Sequence, residues 1–126
     1  MQIQKLDHVN LRTTQLEEMI AWYVDILGLR LGERPDFGFP GAWMYAGDTA
    51  VVHLVGIDGT AGVGSEVALK MEHFALTATG AAAFEARLTA TDTGYRRAVL
   101  EQTRTVAFNI SDPDGNHIHV DFSADE

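Results

Sequence analysis

The chain has five histidines and no cysteine, and four of the five histidines fall into a pattern. His8 lies in DHVNL and His73 in EHFAL, 65 residues later; His53 lies in VVHLV and His119 in HIHVD, 66 residues later. A histidine alone in a strand is usually a hydrogen-bonded structural residue. Four that recur at one internal spacing call for a shared reason. Imidazole is the commonest protein ligand for metals, so metal binding is the expected chemistry of these histidines. Such donors suit zinc, nickel, cobalt or iron alike. The lack of cysteine removes disulfides, thiolate sites and thiol nucleophiles, and fits a reducing cytoplasm.

The elements that must position these residues follow from periodicity. Residues 6–12, LDHVNLR, alternate like a strand. Thr14 and Glu17 make a possible capping box for a helix with Leu16, Met19, Ile20, Tyr23 and Leu27 on its apolar stripe, and Gly28 closes it. A short strand over 29–33 and a loop, RPDFGFPG, come next. AWMYAG and TAVVHLVG read as a hairpin turned at Gly47 and Asp48. The glycine-rich stretch 56–66 reads as a linker, with a lid as the functional alternative. The pattern then restarts: strand MEHFALTA, helix GAAAFEARLTATDTG, strands YRRAVLE and TRTVAFNIS, the turn DPDG and the strand NHIHVDF. Strand, helix and three strands thus occur twice. This predicts one α+β domain, 1–126, made of modules at about 1–57 and 68–126.

Strand parity separates core from site. Val9 and Leu11 oppose His8, Asn10 and Arg12; Val52 and Leu54 oppose His53; Phe74 and Leu76 oppose His73. In the last strand Ile118, Val120 and Phe122 oppose His117, His119 and Asp121. Helices should cover the oily faces, leaving the histidines on the open face. His117 has the right parity but adjoins the turn, and is expected at the rim. Phe37, Phe39, Trp43 and Tyr45 are candidate walls for a pocket, or core residues; Trp22 and Tyr23 are assigned to packing.

A formal net charge of -9 speaks against nucleic acid as a partner. No apolar run approaches the roughly 20 residues that span a bilayer, and MQIQKLDHVNL lacks the form of a signal peptide. A small molecule is the expected partner.

The motifs LDHVNLR, AWYVDILGL, VVHLV, EHFAL and DPDGNHIHVDF resemble the vicinal oxygen chelate superfamily, which includes glyoxalase I, extradiol dioxygenases, fosfomycin-modifying enzymes and bleomycin-binding proteins. The resemblance implies two βαβββ modules forming a U-shaped mixed sheet with helices on its outer face. It also implies one divalent metal held at the positions of His8, His53, His73 and His119, and a homodimer, with exchange of modules in some small members. Relatives usually carry glutamate where this chain has His119, and several have glutamate or glutamine at the position of His53. Neutral imidazoles leave the ion's charge undiminished and favour an anionic substrate chelating through adjacent oxygens. By the same resemblance Arg12 matches an arginine that contacts glutathione in glyoxalase I, and Arg12, Asn10, Trp43 and Tyr45 are the substrate-binding candidates. The catalytic candidates are His119, if released from the metal, and Asp121, two residues on. The resulting expectation is a metal-dependent enzyme, with lyase or isomerase chemistry placed ahead of oxygenation because four protein ligands leave few open positions. Its rival is a metal-free protein that sequesters a cationic compound, as bleomycin-binding relatives do.

Overall fold

A computed structural model of the protein describes residues 1–58 and 71–126. The part of the glycine-rich stretch from 59 to 66 lies outside the described residues. The chain divides into two units, Met1–Val63 and Gly64–Glu126, each built on one four-stranded mixed sheet.

The first unit runs β1 (Val9–Thr13), α1 (Leu16–Asp25), β2 (Arg30–Gly32), β3 (Gly41–Ala46) and β4 (Thr49–Gly56). Its sheet order is β1-β4-β3-β2, with β1 parallel to β4 and the other pairs antiparallel. Burial follows the expected parity: Leu11, Val52 and Leu54 are buried with Met19 and Tyr23 of α1, while Asn10 and Arg12 are exposed. The expected capping box does not form. Instead the hydroxyl of Thr13 accepts the Gln15 N–H at 3.0 Å, and the helix starts at Leu16 with no side-chain cap. Gly28 takes the left-handed conformation that ends the helix, with φ 68°.

The second unit repeats the order with β5 (Phe74–Thr77), α2 (Ala81–Ala90), β6 (Arg96–Leu100), β7 (Thr105–Ser111) and β8 (His117–Ser123), in sheet order β5-β8-β7-β6. Phe84 of α2 meets Phe108 edge-on and also packs against Phe122, and Leu88 is fully buried. Full burial of each such side chain contributes about 1.5–3 kcal/mol.

The helix α2 begins at Gly80, which has no side chain to cap it. Glu126 supplies the cap from 46 residues away, its Oε2 accepting the N–H of Gly80 at 2.9 Å and of Ala81 at 3.1 Å. Glu126→Ala is therefore expected to lower stability by about 1 kcal/mol in chemical denaturation. Glu126→Gln, which keeps an acceptor oxygen, should recover part of that loss.

Between β7 and β8 the DPDG turn is held by one carboxylate. Asp112 Oδ1 accepts from the N–H of Asp114 and Asn116 at 3.0 and 2.9 Å, and Oδ2 accepts from Asn116 Nδ2 at 2.8 Å. Gly115, at φ 83°, gives the turn a conformation that a side chain would strain. This turn sets the register that places His117 opposite Ser111 and His119 opposite Asn109.

Candidate metal centre

Each unit brings two of the four repeat-related histidines together. In the first, His8 stands just ahead of β1 and stacks on His53 of the adjacent β4, with ring centroids 3.8 Å apart and planes 9° from parallel. In the second, His73 stands just ahead of β5 and stacks on His119 of β8 at 3.9 Å and 6°. The same parallel pairing of first and last strand produces both stacks.

A carboxylate precedes the first histidine of each pair and holds its inner nitrogen. Asp7 Oδ2 accepts from His8 Nδ1 at 2.7 Å, and Glu72 Oε2 pairs with His73 Nδ1. Each contact fixes the ring and leaves Nε2 as the free donor, the usual arrangement behind a metal-bound imidazole. The hydrogen bond from His8 holds the Asp7 carboxyl below its ordinary value. Hydrogen bonds from His73 and then His117 lower the Glu72 carboxyl to about 2. Burial pushes His53 and His119 below the usual imidazole value, with repulsion from neighbouring histidines adding to it. All four effects suit metal binding: the acceptors stay ionised and the buried imidazoles stay neutral at pH 7.

His117 is more than a rim residue. Its side chain is 17% exposed and packs edge-on to both His73 and His119. Its Nδ1 lies 2.8 Å from Glu72 Oε1 and its Nε2 lies 3.1 Å from Asn109 Oδ1; a neutral ring donates to one of the two and only an imidazolium donates to both. His73, His117 and His119 each offer a ring nitrogen within 4.8 Å of the others, a grouping able to hold a cation. With acceptors on both nitrogens, His117 would ligate only by releasing Glu72 or Asn109. Parity revealed that it faces the site. The partners that fix it come from across the sheet, and chain spacing gave no sign of them.

The remaining sequence-derived candidates fall around these pairs. Trp43 stacks on the other side of His53 at 4.2 Å, and Phe37 lies 6.1 Å from Trp43 in a cluster with Phe39. Tyr45 carries the Arg30 guanidinium over its ring and donates its hydroxyl to the Glu33 carbonyl at 2.6 Å. Asn10 is the register partner of His53, and Arg12 that of Val55. Asp121 faces Thr77 and Ala107, and its Oδ1 is buried with no hydrogen-bond donor among the described residues.

Within each unit the donors suit a divalent ion: a stacked imidazole pair, one ring of which has a carboxylate on Nδ1. No described helix is long and apolar enough to cross a membrane.

A sequence profile of the Glyoxalase/Bleomycin resistance protein/Dioxygenase superfamily matches residues 5–120. Among solved structures, the chain is similar to a glyoxylase/bleomycin resistance protein/dioxygenase domain from Frankia, with 17% identity, 97% and 93% of the two chains covered and a TM-score of 0.78. It is also similar to a lactoylglutathione lyase from Agrobacterium tumefaciens, with 18% identity, 95% and 94% coverage and a TM-score of 0.69. A genomically encoded fosfomycin resistance protein from Listeria monocytogenes gives 12% identity, 97% and 95% coverage and a TM-score of 0.69. At such identities these likenesses concern the fold. No curated protein gives a match.

Proposed function

The chain belongs to the Glyoxalase/Bleomycin resistance protein/Dioxygenase superfamily, and from that premise we infer a divalent-metal-dependent enzyme acting on a small molecule that chelates through adjacent oxygens. The observation that carries the reading is the paired imidazoles, His8 with His53 and His73 with His119, repeated in both units. In this reading the four rings hold one ion, zinc, nickel, cobalt or iron, which when bound supplies a Lewis acid for a chelated substrate. Asp7 and Glu72 hold His8 and His73 with Nε2 outward. Trp43, stacked on His53, offers a flat apolar wall for a substrate ring or chain. Asn10, Arg12 and Tyr45 complete the proposed substrate contacts.

Proton transfer is assigned to the Asp121 carboxylate, whose buried Oδ1 has no hydrogen-bond donor among the described residues. His119 is the alternative acceptor in any state where it leaves the metal. Isomerase or lyase chemistry is placed ahead of oxygenation, because an ion held by four imidazoles would have little room for both a chelating substrate and O₂. The working form is proposed to be a homodimer, and the absence of cysteine supports a cytoplasmic setting.

The test is a metal-reconstituted screen against hemithioacetals, catechols and α-hydroxy ketones, run beside chelator-treated protein. Turnover that depends on metal and is lost in Asp121→Asn is the expected result. Metal-independent binding of a cationic compound, unchanged by alanine at His8 and His73, would replace the enzyme by a sequestering protein. The net charge of -9 is the feature that favours this second reading.

Metal retention should also depend on pH. Since His53 and His119 titrate below the usual imidazole value, they remain neutral at pH 7 and take up protons only in more acid solution. Their contribution to binding is complete above about pH 6.5 and falls away as pH drops through their lowered values. Metal content after dialysis is expected to be full at pH 7 and to decline below about pH 5 to 6. Content unchanged at pH 4.5 would contradict imidazole ligation.

A further inference from the structure

The second unit contains a cleft of about 580 Å³ that the metal site does not use. It lies beside the histidines, lined by residues 93–96 at the start of β6, residues 109–111 of β7, Gly115 of the turn, and His117. Small-molecule sites commonly fall between about 300 and 1,000 Å³.

Its polar groups converge on one oxygen. Asn109 Oδ1 accepts from Arg96 Nη2 at 3.2 Å and lies 3.1 Å from His117 Nε2. The amide cannot turn over without loss, because Asn109 Nδ2 donates to the Arg96 carbonyl at 3.3 Å. Asn109 is 9% exposed, so this anchor is buried, whereas Arg96 itself is exposed. Arg96 has no carboxylate partner among the described residues. One of its five N–H groups is spent on Asn109, which orients the guanidinium and leaves the rest for a ligand.

Register places the cleft at a definite distance from the proposed metal ligands. Arg96 is opposite Asn109, and Asn109 is opposite His119. Two strand spacings separate Arg96 from His119, about 10 Å between Cα atoms. His117 bridges the interval, hydrogen-bonded to Asn109 on one side and packed against His119 on the other.

We propose that this cleft binds an oxyanion, a carboxylate or a phosphate-type group, on a molecule whose other end reaches the histidine site, with Arg96 as the binding residue and Asn109 as its positioning residue. The proposal rests on the metal-enzyme reading for its second clause only. A planar guanidinium with several free donors recognises two oxygens at once. The overall charge of -9 repels anions at long range, so binding here must come from these fixed local donors. A substrate of this class carries an anionic tail a few bonds from its chelating oxygens.

The test uses the full chain freed of metal by chelator, so that no anion can bind through an ion. Inorganic phosphate, and separately acetate, is titrated at constant ionic strength while amide and Arg96 side-chain NMR signals are followed. Saturable shifts at Gly94, Ser111, Gly115 and Arg96 Nε with either anion are expected, and the stronger of the two identifies the tail. Arg96→Gln should weaken that binding at least tenfold, and Arg96→Lys should restore part of it, with unchanged metal uptake in both. No saturable shift with either anion, or equal binding by Arg96→Gln, overturns the cleft assignment. Because zinc uptake is measured on the same samples, failure of the metal reading shows separately as uptake lost or absent in wild-type protein.

Discussion

Alanine in place of His53 or His119 is expected to lower affinity for the divalent ion by about 100- to 1,000-fold, with the fold retained. Binding of a structural zinc ion by four ligands is worth about 10–16 kcal/mol, so one ligand's share is about 2.5–4 kcal/mol. These two histidines are the half-buried members of their pairs, and burial already favours their neutral form. The exposed members, His8 and His73, should matter comparably if all four rings bind one ion. Competition with a chelator of known affinity gives the constants, and circular dichroism reports the fold. A loss seen for His119 and absent for His53 would mean that the second unit binds metal alone, through His73, His117 and His119.

The second large effect is expected at a residue that touches no metal in this account. Glu72 accepts from His73 and, at 2.8 Å, from His117. Glu72→Gln replaces one accepting oxygen by an NH₂ group, which faces a ring N–H and cannot accept it. Metal affinity should fall by about 10- to 100-fold, the usual cost of losing a hydrogen bond behind a ligand. Asp7→Asn should cost less, since Asp7 bonds His8 alone whereas Glu72 bonds both His73 and His117. Nitrogen-15 chemical shifts of His73 supply a readout independent of metal, because losing the carboxylate frees the ring to change tautomer. Affinity within twofold of wild type in Glu72→Gln would remove the carboxylate from the account.

Much of the fold could be read from the chain because alternation leaves a period-two record. The burial of Leu11, Val52, Leu54, Ile118, Val120 and Phe122 is what that record predicted. The repeat offsets of 65 and 66 residues match His8 to His73 and His53 to His119, so each unit carries one equivalent stacked pair. DPDG announced a turn through the special conformation it requires at Gly115. Thr14 and Glu17 misled because the local competition was close: Thr13, one residue earlier, has the same type of side chain and bonds Gln15 instead.

The contacts around His117 were hidden for a different reason. Asn109 sits inside the apolar run TVAFNIS, where its neighbours suggest a plain core strand. Only the β7–β8 register reveals that it faces His119, and only the β6–β7 register brings Arg96 to it. Glu72 precedes a strand and resembles any surface acid until its two oxygens are seen to serve two different rings. Cross-strand partnerships depend on turn length and bulges such as that at Met44 and Tyr45, and carry no fixed spacing along the chain.

Titration of zinc into the metal-free full chain, followed by X-ray absorption at the zinc edge, tests the central claim most directly. Saturation is expected at one ion per chain, with a first shell that includes imidazole nitrogens at about 2.0–2.1 Å. Two ions per chain, or one ion whose shell is unchanged when His8 and His53 are both alanine, would contradict it.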